Sequence, residues 1–332
     1  MERFGRLDDK SIGMRFAEVL EAVKEDDGGK FDFHTRLHDI EYDDGGEGKF
    51  FIKNQGDFSL TNHAFRQIMN RVGIPPTYAA KTPPALLKPH FDHWLKTEDN
   101  KELFIRAKSS SEGNRIRAFL TPQYSVLDNR DILSAFNQHL RPDQYQITNF
   151  GVDEDSLNVR LVFPDLAHET PHPTRKNNSF FVGAHLLNGE TGNCAVRVDL
   201  LLFELWCKNG AIRRINGSSI MMRRHFGRNF NLGEEFETAF HAIRGKAAQT
   251  MDSFMRTHET KVADPIATLT KVMDSDRGLF TERMREIVLS SFERWPQPTL
   301  YGVISALTQA AQSLPMDRRL DMEAIAGNLM GK

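Results

Sequence analysis

Between Phe236 and Phe254, apolar side chains recur at a spacing of three or four residues. This spacing places them on one side of an α-helix of about five turns. A stripe of this length is not left in water, because monomeric proteins rarely expose large contiguous apolar patches. We therefore predict that the helix packs, through Phe240, Ile243 and Met251, against a sheet or other helices. Further helices are predicted at 265–273, 281–295, 299–314 and 320–329.

The residues that precede this stripe have a different pattern, in which short apolar segments alternate with polar turns. Such segments are typical of antiparallel strands joined by hairpins. About seven of them occur, at 104–107, 116–120, 145–152, 158–163, 180–187, 195–203 and 212–215. The stretch 167–178 is rich in Pro, His, Thr and Asn and is predicted to be an exposed loop.

The amino-terminal residues predict mainly helices. One helix is expected at 11–25, and a second begins at Thr61 and ends before Gly73. A short strand is expected at 50–53. Strands followed by helices indicate an α+β fold, with a central antiparallel sheet of short strands flanked by N-terminal helices and a C-terminal helical region. The predicted regions are 1–100 (acidic, mainly helical), 101–230 (β-rich, with a basic segment) and 231–332 (helical).

The composition is that of a folded globular protein, with 39% hydrophobic and 27% charged residues. The first residues, MERFGRLDDK, lack the apolar segment of a signal peptide. No apolar run approaches the roughly 20 residues that cross a bilayer. We expect a cytoplasmic protein that makes no membrane contact. Cys194 and Cys207 are expected to be reduced thiols, since a structural zinc site needs four ligands.

Charge is distributed unevenly along a chain whose net charge is only −2. Residues 1–60 contain 15 acidic and 9 basic residues, whereas residues 205–230 contain 6 basic residues and no acidic one. Several cations on one surface favour a polyanion, because each neutralised phosphate releases counterions. The basic segment is therefore the leading candidate for a nucleic-acid site.

The candidate residues of this segment combine cations with an aromatic ring. Arginine can contact phosphates and stack on unpaired bases, and phenylalanine can act as a stacking platform. The alternatives are a solvated surface and pairing of these arginines with the acidic amino-terminal region. The candidates are Lys208, Arg213, Arg214, Arg223, Arg224, Phe226 and Arg228.

The first hairpin carries a second set of cations. Arg106 and Lys108 are two residues apart, as are Arg115 and Arg117, so each pair shares one face of its strand. If the two strands pair around 110–113, the four cations can line one side of the sheet and bind nucleic acid. An ordinary polar outer face is the alternative.

The motifs that would indicate an enzyme are missing from the sequence. GETG at 189–192 predicts a tight β-turn and not a phosphate-binding loop, because no Gly-Lys-Ser/Thr sequence follows it. His168, His172, His185 and His225 could form a metal site only if tertiary structure brings them together. We therefore expect no cofactor and no metal, and non-enzymatic action is favoured, although a metal-dependent nuclease stays open.

Several segments together resemble a known family. This family, found on phages and plasmids, is labelled only as a domain of unknown function, and the similarity extends from about residue 55 to 330. In outline the family is similar to single-strand annealing proteins of the recombination-mediator type. The segments are DFSLTNHA (57–64), GIPPTY (73–78), RAFLTPQY (117–124), GETG (189–192), LWCKNG (205–210) and TLYGVISALT (299–308).

The sequence and this resemblance lead to one hypothesis and an alternative. The hypothesis is a mobile-element protein that binds or anneals single-stranded DNA in recombination or replication, without nucleotide hydrolysis, as a homo-oligomer. The alternative is a non-enzymatic protein that binds or inhibits a host factor. The two differ in the expected salt dependence of DNA binding.

Overall fold

The computed structural model describes residues 14–45, 49–98, 100–154, 156–172, 175–204, 209–213, 219–227 and 231–331. For residues 170–172, 175–178, 209–213 and 316–317 it describes the backbone only. The described chain forms two β-sheets with helices packed around them. The predicted α+β class is confirmed.

The first sheet contains six strands within the described residues. They are β1 (Lys30–Arg36), β2 (Ile40–Tyr42), β3 (Phe50–Ile52), β4 (Gly56–Leu60), β5 (Glu102–Ser110) and β6 (Gly113–Leu120), in the order β1-β5-β6-β4-β3-β2. Neighbours are antiparallel except the β4–β6 pair, which is parallel. The predicted β5–β6 hairpin is confirmed. The strand predicted at 50–53 is present as β3, whereas β1, β2 and β4 are further strands that the sequence pattern did not predict, in a region expected to be mainly helical.

The amino-terminal helices are α1 (Phe16–Asp27), α2 (Asn62–Arg71), α3 (Pro76–Ala79) and α4 (Pro84–Thr97). Thr61 caps α2 as predicted, since its side chain accepts a hydrogen bond from the amide of Ala64. Gly73 follows the end of this helix with φ of +70°, a conformation that glycine adopts without strain.

The second sheet is antiparallel. It contains β7 (Gln146–Val152), β8 (Leu157–His172), β9 (Arg175–Asn188), β10 (Val196–Glu204) and β11 (Asn209–Arg213), in the order β11-β10-β9-β8-β7, and β12 (Met221–Arg223) also pairs with β10. The predicted loop at 167–178 is wrong for the described part of this stretch, because residues 167–172 belong to β8, residues 175–178 belong to β9, and the two strands pair there. Cross-strand hydrogen bonds there override the turn preference of its Pro and Asn residues.

The later helices are α5 (Asn129–Asn137), α6 (Leu232–Glu259), α7 (Pro265–Asp274), α8 (Glu282–Arg294), α9 (Leu300–Ala311) and α10 (Met316–Asn328). The apolar stripe on α6 is buried against the second sheet and α9, with Phe240, Ile243 and Met251 each at most 7% exposed. The predicted packing of this helix is confirmed. None of the helices in the described ranges is long and apolar enough to cross a bilayer.

Two large apolar cores form, and their boundaries differ from the predicted regions. The first core joins the first sheet to α2, α3 and α4. The second joins the second sheet to α5 through α10, and α1 contributes Phe16, Val19 and Val23 to it. Along the described chain, α1 therefore belongs to the second core, β1 to β6 with α2 to α4 form the first core, and the elements from α5 onward belong to the second core again. Polar residues of β1, β5 and β6 meet the β9–β10 turn where the two cores adjoin, and we call this contact the seam.

Candidate nucleic-acid interface

The seam is built on the GETG turn between β9 and β10. The amide of Gly192 donates to the carbonyl of Gly189 at 3.1 Å, which confirms the predicted tight turn. Gly192 has φ of +77°, and a Cβ on Gly189 would lie 2.9 Å from the backbone nitrogen of Cys194. Both positions therefore require glycine.

Glu190, inside this turn, is the central carboxylate of the seam. It is 2% exposed and lies 2.9 Å from Nζ of Lys30 and 2.7 Å from Nη2 of Arg117. Its other oxygen accepts a hydrogen bond from the backbone amide of Asn129 at 2.8 Å. Three separate parts of the chain therefore converge on one side chain.

Arg106 is the second connection across the seam. Its guanidinium contacts Oδ1 of Asp32 at 3.1 Å and Oδ1 of Asp128 at 2.6 Å. It also donates to the backbone carbonyl of Glu190 at 3.0 Å. Each of Lys30, Arg106 and Arg117 thus contacts at least one carboxylate, and Lys30 contacts Asp26 and Asp27 besides Glu190. A buried charge is tolerated only when it is paired in this way.

These contacts correct the prediction that the first hairpin exposes four cations. Arg106 and Arg117 are only 3% and 2% exposed. A β-bulge in the β5–β6 pair leaves Arg117 as the extra residue, which turns its side chain towards Glu190. Lys108 pairs with Asp26 at 3.1 Å, and Arg115 pairs with Glu154 at 2.8 Å. The amino-terminal carboxylates of Asp26 and Asp32 therefore pair with two cations of this hairpin, Lys108 and Arg106.

The stabilisation of the fold by Glu190 is expected to depend on pH. The charges of Lys30 and Arg117 and the amide of Asn129 outweigh burial and lower the pKa of Glu190 to about 2, from an ordinary value of 4.5. A carboxylate with a depressed pKa stabilises the fold fully above its ordinary pKa, and this stabilisation is lost as pH falls towards the folded-state pKa. We expect the stability difference between the native protein and Glu190→Gln to be constant above about pH 5 and to shrink between pH 4.5 and 2. Urea unfolding of both proteins across this range measures it, and a difference that stays constant down to pH 2 would contradict the assignment.

Tyr124 and His225 continue this network towards the surface. The Tyr124 hydroxyl donates to the carbonyl of Glu190 at 2.8 Å and lies 2.9 Å from Nδ1 of His225. Nε2 of His225 lies 3.0 Å from Oδ1 of Asn188. Burial raises the pKa of Tyr124 and lowers the pKa of His225. These buried partners hold the chain on either side of His225 in place.

The segment around His225 presents a row of exposed side chains. Met221 and His225 point inward, whereas Met222, Arg224 and Phe226 are exposed. Met222 is 60% and Phe226 is 68% exposed. The amide of Ser125 donates to the carbonyl of His225 at 3.0 Å, and Tyr124 pairs with Phe226 in an antiparallel bridge. The exposed row, which we define as Met222, Arg224 and Phe226, is therefore part of an anchored ribbon.

Of the other predicted cations of the basic segment, only Arg223 has a described side chain, and it does not join this row. Arg223 is paired with Glu235 of α6, with Nε 3.1 Å from Oε2, so its charge is already neutralised. Lys208, Arg214 and Arg228 lie outside the described residues, and only the backbone of Arg213 is described.

The histidines that were predicted as metal candidates have different surroundings. His185 is buried in the second sheet beside Asn158, His225 lies at the seam, and His168 is exposed. Among the described residues, no group of three or more His, Cys, Asp or Glu side chains could hold a metal ion. Cys194 is half-buried after the GETG turn, and Cys207 lies outside the described residues.

Sequence reasoning missed the residues that organise the seam. Glu190 was read only as part of a turn, and Lys30, Asp128 and Tyr124 were not singled out as partners. A signal was present in RAFLTPQY and GETG, which belong to the resemblance, but their contact depends on the pairing of distant strands. Comparison with family models, with curated proteins and with solved structures finds no match to this chain.

Proposed function

We propose that this protein binds single-stranded DNA through the exposed row Met222, Arg224 and Phe226. The observation that carries the proposal is the Phe226 ring, 68% exposed on an anchored ribbon. Covering an exposed aromatic ring removes apolar surface from water, which is favourable. The Phe226 ring is therefore suited to a partner that covers its face.

The chemistry of the row fits an unpaired strand better than a duplex. Unstacked bases can cover an aromatic face, and base–aromatic stacking is worth roughly 1–3 kcal/mol per base. In a duplex the base faces are already covered by their neighbours. Arg224, two residues from Phe226 on the same exposed side, supplies a cation for the phosphate that follows the stacked base.

Separate substitutions of Phe226 and Arg224 distinguish the stacking contribution to DNA binding from the electrostatic one. We expect Phe226→Ala to weaken binding of oligo-dT about tenfold without changing its salt dependence, because stacking releases no counterions. We expect Arg224→Ala to reduce the slope of log affinity against log salt by about 0.7, the value for one phosphate contact on a single strand. Fluorescence anisotropy over a salt series measures both effects.

Matched variants serve as controls. Arg283→Ala removes an exposed arginine from α8 and is expected to leave affinity and slope unchanged. Arg223→Ala removes a cation that Glu235 already neutralises, so its slope should change less than that of Arg224→Ala. No binding of the native protein to any oligonucleotide at about 50 mM salt, where phosphate contacts are strong, would overturn the proposal.

Strand annealing and self-assembly extend the proposal. The outline similarity of the resembled family to single-strand annealing proteins of the recombination-mediator type supports them, and such proteins commonly work as rings or filaments. We expect the native protein to accelerate pairing of complementary fluorophore- and quencher-labelled strands, and Phe226→Ala to do so less. Unchanged pairing rates with intact DNA binding would limit the function to strand binding.

A protein partner is the second candidate. Val126, 42% exposed, follows Ser125, which is bonded to the ribbon, and Met222 and Phe226 are also exposed apolar side chains. Apolar and aromatic side chains are typical of the centre of protein interfaces. A partner bound there would be weakened by Phe226→Ala, but its affinity would fall little with salt.

A further inference from the structure

Strand β1 is an open edge of the first sheet. It is seven residues long, and among the described elements β5 alone lies alongside it. The other sheet ends in the described chain are short or covered. β2 has three residues and packs against α4, β7 packs against α1, and β11 packs against α9 and α10. A long uncovered edge is a template for pairing with another strand.

The outward backbone groups of this edge belong to every second residue. The amide of Ser109 donates to the carbonyl of Gly29 at 2.8 Å, and the amide of Leu37 donates to the carbonyl of Lys101 at 3.2 Å. The register between β1 and β5 has no shift, so the odd-numbered residues of β1 exchange hydrogen bonds with β5. The amides and carbonyls of the even-numbered residues therefore point away from the sheet. These residues are Lys30, Asp32, His34 and Arg36.

The side chains of this set carry charges of both signs. Asp32, His34 and Arg36 are exposed on one face of β1. Asp32 contacts Arg106 through Oδ1, whereas Arg36 forms no ion pair with a described residue. Edges that are protected against pairing often contain a proline or a bulge, and β1 has neither.

Antiparallel pairing of β1 with β1 of a second copy is self-complementary in one register. With His34 on the two-fold axis, Asp32 lies opposite Arg36 of the second copy, and symmetry repeats this ion pair. The outward groups of these three residues then form about six main-chain hydrogen bonds between the copies. An axis at Phe33 would instead place Lys30 opposite Arg36, and like charges directly opposite are destabilising.

The core-facing side of β1 also gains contacts in this register. Phe31 and Phe33 are half-buried at the margin of the first core, with ring centroids 5.9 Å apart. Phe33 lies opposite Thr35 of the second copy in a non-hydrogen-bonded pair, where cross-strand side chains are closest. Pairs of an aromatic and a β-branched residue at such positions are favourable. Pairing therefore covers apolar surface as well as backbone groups.

We propose that two copies of this protein associate through β1, so that their first sheets join into one continuous sheet. The two-fold axis uses both free edges, so this contact closes on a dimer and does not propagate into a filament. The inference goes beyond DNA binding and does not depend on it. It assigns a contact surface to the expected homo-oligomer.

Sedimentation equilibrium of the full-length protein tests this association, and we expect twice the mass of one chain. His34→Pro removes the amide that bonds at the axis and should raise the dimer dissociation constant about tenfold or more. Its fold should persist, because that amide makes no bond to β5. Arg36→Glu should weaken the dimer to a similar extent, because it places a carboxylate opposite Asp32. Arg283→Ala is the control.

A single cysteine at the axis tests the register. Opposed residues of a hydrogen-bonded pair have Cα atoms about 5.5 Å apart, which is within the range of a disulfide. His34→Cys should therefore form a covalent dimer on mild oxidation. Arg36→Cys should not, because its symmetry mate is displaced by about four residues, roughly 14 Å along the strand. The native protein, with Cys194 and Cys207, gives the background.

The outcomes decide the proposal separately from DNA binding. A native protein that stays monomeric at its highest soluble concentration would overturn it. A native dimer whose dissociation constant is unchanged in folded His34→Pro and Arg36→Glu proteins would also overturn it, as would equal cross-linking of both cysteine variants. Circular dichroism and thermal unfolding check that each variant is folded. A native protein that dimerises through β1 but binds no oligonucleotide would leave this contact in place while the proposed function fails.

Discussion

Replacing Glu190 with Gln is expected to lower the free energy of unfolding by about 3–5 kcal/mol, the usual cost of leaving a buried charge without its partner. Gln keeps the shape of the side chain but removes its charge. Lys30 retains Asp26 and Asp27, whereas Arg117, 2% exposed, retains no carboxylate among the described residues. Urea unfolding followed by circular dichroism measures the loss.

Glu154→Gln is the matched control for this prediction. Glu154 pairs with Arg115 at 2.8 Å, but both side chains are more than two-fifths exposed. Exposed ion pairs contribute no more than about 1 kcal/mol. Equal decreases in the free energy of unfolding of the two variants would show that burial of Glu190 does not determine how much its ion pairs stabilise the protein.

Glu323→Gln is expected to have a similar effect on the docking of α10. Glu323 is fully buried and binds Arg160 of β8 through two hydrogen bonds, of 3.0 and 2.7 Å, and Nε of Arg319 at 2.8 Å. These contacts show that one carboxylate balances two guanidinium groups. Burial and the charge of Arg160 lower the pKa of Arg319. Loss of the Glu323 carboxylate should lower the free energy of unfolding by about 3–5 kcal/mol.

Replacing Arg160, Arg319 and Glu323 together by apolar residues tests whether unpaired buried charge causes this loss of stability. Arg160→Met/Arg319→Met/Glu323→Leu removes all three charges and keeps similar volumes. Buried ion groups replaced by packed apolar side chains often lose no stability. We expect the triple variant to unfold at higher urea concentration than Glu323→Gln. A triple variant that is less stable would mean that shape, and not unpaired charge, decides this contact.

Local signals were sufficient for elements whose stability depends on neighbouring residues in sequence. The hydroxyl of Thr61 caps α2, and the stripe from Phe236 to Phe254 matches one buried face of α6. The hairpin turn at Ser110–Gly113 was readable because its glycine allows φ of +112°. In β1, Phe31 and Phe33 alternate with charged or polar residues, but this short pattern was not interpreted as a strand.

The spacing of residues in a strand, in contrast, predicts which side chains share a face but not what packs against that face. Arg106 and Lys108 share a face, as the spacing of two predicts, yet Arg106 is buried and Lys108 is partly exposed. The bulge that turns Arg117 inward exists only in the paired strands. The same limit applies to Arg223 and Arg224, adjacent cations of which one pairs with Glu235 and the other is exposed.

The α+β class, the carboxy-terminal helices, the β5–β6 hairpin and the cation-rich segment with Phe226 were all predictable from the sequence. Periodicity and turn chemistry act over a few residues and can be read directly. Which charges are neutralised depends on the tertiary structure, because Glu190 meets Lys30 and Arg117 across 160 and 73 residues of chain. Pairing at such separations depends on strand order and register, and these follow from packing of the whole chain.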